Sequence, residues 1–232
     1  AVVFIGEVRM GAQRWIDIPG VTSVQPSEFL KLAMPMMIAW YLSTRPIPIR
    51  FRDLLVCIVM ILVPVGLIAE QPDLGTSILV FMSGFFVLFF AGLSWRLIGG
   101  MAALAAAAAP VAWTFLHDYQ RRRVITLFDP ESDPLGNGWN IIQSKTAIGS
   151  GGLSGKGWLD GTQSHLHFLP EGHTDFVFAT MAEEWGMVGG CLLILAFILV
   201  IRWGINVGQA AETRFAKLAA AGLATTIFLY VA

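Results

Sequence analysis

Charge is what this 232-residue sequence has least of: Lys, Arg, Asp and Glu together make up 13% of it, about half the ~25% of an ordinary soluble domain. So little charge argues against a conventional solvated globule. The formal net charge is -1, and the arginines form no stripe that could follow phosphates, which argues against a nucleic-acid partner. There are two cysteines. Cys57 and Cys191 each sit inside an apolar run and read as core residues, so neither a disulfide framework nor a cysteine-based metal site is expected. A nucleotide-binding loop is missing as well. In GSGGLSGKGW the first glycine position is taken by Ser150, and Gly157 follows Lys156 where Ser or Thr is needed. The chain lacks an opening Met, begins on AVVFIG and stops inside AAAGLATTIFLYVA. Both ends therefore read as cut from something longer, and no signal peptide is assigned.

What the sequence has in quantity is apolar length: 56% hydrophobic residues and a mean hydropathy of +0.68. The expected fold class is an all-α polytopic membrane protein. The stretch from Glu7 to Glu28 carries Gly, Pro and polar residues without a helical period and reads as a short surface loop. Within it, Arg14 beside Trp15 has two readings, an interfacial anchor or a cation and a ring that hold a sugar or phosphate. Pro26 suits the first turn of a span, PSEFLKLAMPMMIAWYLS. Glu28 and Lys31 fall on one face of it and are expected to pair, because an isolated charge at membrane depth costs several kcal/mol. A structural and a substrate-facing pair are both open. Further spans are expected at Leu54–Ala69, Thr76–Leu93 and Leu97–Leu116. The second ends in Glu70, Gln71, Pro72, Asp73, a proline-broken corner that reads as a solvated turn or as a pocket wall.

Short connectors holding Arg45, Arg50, Arg52, Arg96, Arg202, Arg214 and Lys217 alternate with connectors nearly free of basic residues, which places the basic ones in the cytoplasm. The segment 117–173 then lies outside. It is too long to be a mere connector, and its Lys145 and Lys156 are cations able to meet a diphosphate or simply to solvate the loop. His165, His167 and His173 with Asp175 are the residues a metal would use, but alternate histidines in a loop are a weak pattern and no metal site is assigned. Thr174 can cap the apolar helix that follows, leaving Asp175 in its first turn beside unpaired N–H groups. An acidic residue is common at any helix start. At the mouth of a membrane helix it is also a functional candidate, because desolvating it costs free energy that folding has no need to spend.

The motifs GAQRWI, QPSEFLK, EQPDLGTS, NIIQSKTAIGSGGLSGKGW and FLPEGHTDFVFA, in this order, resemble the SEDS family (shape, elongation, division, sporulation) of cell-wall polymerases, and GTQSHLHFLPEGHTDF is similar to its RodA branch. The resemblance covers nearly the whole chain. It implies a single SEDS-type membrane domain over residues 1–232, a fragment of a ten-helix transmembrane bundle running from the end of the third helix into the ninth, with 117–173 as its long extracytoplasmic loop. The implied activity is a peptidoglycan glycosyltransferase that polymerises lipid II during cell elongation at the outer face of the bacterial cytoplasmic membrane. The implied essential residue is Asp175. The resemblance also carries over Trp15, Glu28 and Lys31, and with them Arg14, Gln71, Asp73, Lys145, Lys156, Glu171, His173 and Thr174 make up the candidate substrate-binding residues. Implied partners are a class B penicillin-binding protein, contacted near Ala182–Trp203 and the long loop, and other elongation-complex membrane proteins. One departure is Gly172, where enteric relatives carry an arginine.

Asp175 is read as the base that accepts a proton from a sugar hydroxyl, with Arg14, Lys31, Lys145 and Lys156 available to stabilise a leaving diphosphate. No cofactor is assigned with certainty, and a divalent cation held by Glu70, Asp73 or Asp175 is compatible with this chemistry. Two other classes stay open. A lipid II flippase would carry broken spans or repeats with charges at the midplane, whereas here the charges cluster at the outer mouth. A non-catalytic scaffold would tolerate substitution of pocket residues.

Overall fold

In lipid there is no water for backbone N–H and C=O groups, so each crossing segment must satisfy them internally, and the apolar runs become helices. The computed structural model describes residues 7–9, 12–18, 22–46, 49–71, 73–116, 118–134, 136, 138–162 and 176–231. Its helices are α1 (Pro26–Ser43), α2 (Phe51–Ala69), α3 (Leu74–Phe90), α4 (Trp95–Phe115), α5 (Asp118–Phe128), α6 (Trp139–Ser150), α7 (Val177–Ala210) and α8 (Arg214–Val231). Three of them, α2, α7 and α8, are long and apolar enough to cross a bilayer. The chain is a multi-pass helical membrane protein. The helix expected first is reproduced residue for residue as α1, with Pro26 in its first turn, although α1 is not one of those three, and α2 starts at Phe51 rather than Leu54.

Two compact units are present, Ala1–Gly99 with Phe197–Ala232, and Gly100–Ala196. In the first, α1, α3 and α8 pack mutually and α2 lies against α3 and α1. Met34, Ile38 and Leu42 form the buried stripe of α1, at the i, i+4 spacing of one helix face. Lipid tails are as apolar as these side chains, so the helices are held by close van der Waals approach rather than by exclusion from water. Glycines permit that approach. A Cβ on Gly84 would lie 2.7 Å from Ile61 Cγ1, and one on Gly222 would lie 2.6 Å from Val87 Cγ2 and 2.9 Å from Pro35 Cβ. Phe29, Trp40, Leu55, Val59 and Leu62 stay exposed on the outside of the same helices, where lipid is their solvent.

The far end of α1 carries a polar cluster. Tyr41 donates its hydroxyl to Asp53 Oδ1 at 3.2 Å, Arg45 Nε stands 3.6 Å from the same oxygen, and the Arg45 guanidinium lies over the Tyr41 ring. Arg214 Nη1 donates to the Arg45 carbonyl.

Two sequence expectations are corrected here. Residues before α1 form a three-stranded antiparallel sheet, β1 (Glu7–Arg9), β2 (Ala12–Ile18) and β3 (Thr22–Val24) in the order β1-β2-β3, not a loop. β1 and β3, of three residues each, are too short to show an alternation, and the pairing of all three strands is made between segments rather than within one. Arg52, Arg96, Arg202, Arg214 and Lys217 lie inside α2, α4, α7 and α8 rather than in connectors, because Arg and Lys are good helix formers whose charged ends reach the interface by snorkelling.

In the second unit the long segment from residue 117 is built: α5, a 3-10 turn at Pro130–Ser132, α6 and the glycine-rich stretch that follows lead to Thr162. The unit also holds the first part of α7, which is broken at Gly186, where φ is 68° and ψ is −168°.

Candidate functional site

The head of α1 is organised by Gln25 and Asp73. Asp73 caps α3 by accepting from the Thr76 amide at 3.2 Å, and its other oxygen accepts from Gln25 Nε2 at 3.1 Å. The corner that reads as turn or pocket wall is therefore tied to the start of α1. One turn deeper, Lys31 is 5% exposed, and its Nζ lies 2.6 Å from Glu28 Oε2, while the Glu28 side chain is 53% exposed. Tyr230 of α8 completes the cluster, with its ring 4.4 Å from Lys31 Nζ and its hydroxyl 3.5 Å from Glu28 Oε2. The buried ammonium thus has one carboxylate and one aromatic face, with the carboxylate reaching out of the packed core.

That asymmetry sets the outcome of a mutant cycle. Glu28→Gln leaves a buried, uncompensated ammonium, and a loss of about 1 to 3 kcal/mol is expected after allowing for the half-exposed partner. Lys31→Met frees only a solvent-facing carboxylate and is expected to cost less. The double variant is expected to be more stable than Glu28→Gln alone, read from thermal unfolding of the detergent-solubilised protein. Additive losses would show that the two side chains act separately.

The second cluster surrounds the break in α7. In an unbroken helix the amides of Met187 and Val188 would bond to the carbonyls of Glu183 and Glu184. Here the stretch Gly151–Gly157 is inserted between them. Met187 N donates to the Gly152 carbonyl at 2.9 Å and Val188 N to the Leu153 carbonyl at 3.2 Å, while Lys156 N and Gly157 N donate to the carbonyls of Glu183 at 3.0 Å and Glu184 at 3.1 Å. Every group orphaned at these two bonds is paired again, which backbone buried away from water requires. The approach is backbone to backbone: a Cβ on Gly155 would overlap the Glu184 carbonyl, and one on Gly186 would overlap Gly155 N and the Leu153 carbonyl.

At the same place the Glu183 side chain is fully buried. Its Oε1 lies 2.6 Å from Lys156 Nζ and accepts from Thr162 Oγ1 at 3.1 Å and Ser150 Oγ at 3.5 Å. Lys156 Nζ also donates to Thr162 Oγ1 at 2.8 Å. A cavity of about 450 Å³ beside the break is lined by residues such as Leu153, Phe178, Met187, Cys191 and Ile194, a mostly apolar wall with no cation to hold a diphosphate.

With both clusters in view, the relatives can be placed. The model of the FtsW/RodA/SpoVE family, described as cell cycle protein, matches residues 1–232. The chain belongs to that family. It is 54% identical over 232 residues to the peptidoglycan glycosyltransferase MrdB of Escherichia coli, covering 100% of this chain and 62% of that relative. To the probable peptidoglycan glycosyltransferase FtsW of Trichlorobacter lovleyi it is 36% identical over 223 residues, 95% of this chain and 58% of the relative. These identities put it on the RodA side of the family. A solved structure described as the structural coordination of polymerization and crosslinking by a peptidoglycan synthase complex matches with a TM-score of 0.78 at 34% identity, over 97% of this chain and 62% of that one. The Thermus thermophilus rod shape determining protein RodA matches with a TM-score of 0.61 at 28% identity, over 97% and 57%. The chain spans about three-fifths of the length of these relatives.

Of the candidate site residues, this FtsW/RodA/SpoVE chain brings together Glu28, Lys31 and, at the same end of the first unit, Asp73. Trp15 is half-buried on β2, opposite Glu7 in the ladder, and Arg14 precedes it on the strand. Gln71 lies in the turn after α2, and Lys145 is exposed on α6. Glu171, His173, Thr174 and Asp175 lie outside the described residues, as do His165 and His167. Among the described residues no group of three or more His, Cys, Asp or Glu could hold a metal ion. Two readings shift. Lys156, read from sequence as a cation for a diphosphate or for solvating its loop, has a carboxylate of its own in Glu183, and Gly186, within the stretch implied to contact a penicillin-binding protein, is met by a loop of its own chain. Sequence reasoning missed Glu183 and Tyr230. Nothing local marks either, since their partners are 27 and 202 residues away.

Proposed function

We propose that the protein to which this chain belongs is a peptidoglycan glycosyltransferase that polymerises lipid II into glycan strands during cell elongation. The observation that carries this reading is the full-length family match together with 54% identity to a relative named for that activity. In the proposed step, Asp175 accepts the proton of the 4-hydroxyl of one lipid-linked disaccharide as that oxygen bonds to the anomeric carbon of a second, and the bond from that carbon to the lipid diphosphate breaks. Arg14, Lys31 and Lys145 are the cations offered to the departing diphosphate. A divalent cation, which Glu70, Asp73 or Asp175 would hold, is the further candidate and would supply positive charge for the leaving group. The reaction is placed at the outer face of the bacterial cytoplasmic membrane, on the side away from Arg45, Arg50, Arg52 and Arg96. The proposed partners are a class B penicillin-binding protein, a transpeptidase acting on the strands made here, and membrane proteins of the elongation complex.

Purified full-length protein given lipid II in detergent, with no membrane gradient, is expected to yield glycan polymer. Lipid II moved across vesicle bilayers without any polymer would overturn the proposal in favour of transport.

A further inference from the structure

Lys156 holds Glu183 twice, through its amide to the Glu183 carbonyl at 3.0 Å and through Nζ to the Glu183 carboxylate at 2.6 Å. The loop inserted in the broken helix is therefore locked by a side chain at the residue where the break begins. Thr162 donates to the same carboxylate oxygen and Ser150 Oγ stands 3.5 Å from it, so the end of α6, the glycine-rich loop, the residue following that loop's last turn and α7 come together around one atom. Glu183 is 0% exposed, and a carboxylate in that position is tolerated only while it is paired. The Lys156 side chain is 26% exposed, and two of its three donors are already spent on Glu183 and Thr162. From this clamp the helical hydrogen bonding of α7 runs back to Phe176, whose carbonyl accepts from Thr180 N. Asp175 is the next residue in the chain.

We infer that Glu183 and Lys156 form a positioning pair: they seat the Gly151–Gly157 loop in the break of α7 and so set where the head of that helix lies, and Lys156 is not a ligand of the lipid diphosphate. The inference rests on the reading of Asp175 as the base. It predicts that both residues act through geometry and not through substrate affinity, whereas a substrate cation would act alone and on binding.

The test uses the full-length protein with Glu183→Gln, Lys156→Met, the double variant and, in parallel, Asp175→Asn. Each single clamp variant is expected to lower kcat by at least about tenfold, since an ångström of misplacement costs up to about a hundredfold, while KM stays within about twofold. The double variant is expected to lose no more than the worse single one. Hydrogen exchange at the amides of Met187 and Val188 is expected to speed up in all three clamp variants while α7 beyond Ile194 keeps its protection. The double variant removes both charges of the pair together, so it remains measurable if a single variant fails to accumulate. A several-fold weaker lipid II affinity in Lys156→Met alone, additive losses, or unchanged exchange at Met187 and Val188 would overturn the clamp. Activity retained by Asp175→Asn would instead remove the base reading, and the exchange measurement would still decide whether the clamp exists.

Discussion

Asp175→Asn protein is expected to accumulate normally, to bind lipid II and to polymerise it at least roughly a hundredfold more slowly than the parent, the usual loss when a positioned base is removed. Asparagine keeps the size of aspartate and its ability to pair with N–H groups at a helix start, yet it cannot take the proton. The folding penalty is confined to the lost interaction with the helix dipole, about 0.3 to 1 kcal/mol. Lipid II binding is carried by cations elsewhere and is expected to survive. If the aspartate were there only because carboxylates suit helix starts, asparagine would serve nearly as well. A well-expressed Asp175→Asn protein polymerising at close to the parental rate would end the case for this carboxylate.

The second large effect is structural. Gly186 sits at φ 68°, ψ −168°, a region essentially closed to residues with a Cβ, and the strain alone is of order 1–3 kcal/mol. A Cβ there would also overlap backbone atoms of Gly155 and Leu153, which cannot rotate away as a side chain would. Gly186→Val is therefore expected to expel the Gly151–Gly157 loop and leave the carbonyls of Glu183 and Glu184 unpaired, with a loss of more than about 3 kcal/mol and little folded protein recovered. Gly152 is the control. It has φ 57° with nothing within 4 Å of a built Cβ, so Gly152→Ala is expected to cost only the left-handed penalty of about 1–2 kcal/mol. Unfolding midpoints of the two variants in detergent separate backbone strain from lost space. Equal midpoints would mean that the loop is not held against the break.

Much of the architecture was readable without coordinates, and the reason is visible at particular residues. Pro26 and the apolar run to Ser43 gave α1 its bounds because helix starts and apolar length are local properties. The Glu28–Lys31 pair was readable for the same reason: three residues apart on a helix means neighbours on one face. The sheet over Glu7–Val24 was not readable, since its strands gain their hydrogen bonds only from one another. Glu183 looked like any polar residue in MAEEWG, and the cluster GSGGLSGKGW invited comparison only with a phosphate-binding loop, whose pattern it fails.

By itself the sequence determined a helical, multi-pass membrane protein with its family motifs in order, because a segment in lipid must close its hydrogen bonds within its own turns and because residues one turn apart must meet. Only the tertiary structure decided that Lys156 answers Glu183, that Tyr230 shelters Lys31, and that the glycine-rich loop repairs a broken helix. Those pairings join residues far apart in the chain, and which buried charge finds which partner depends on how the helices pack, a quantity that no local period encodes.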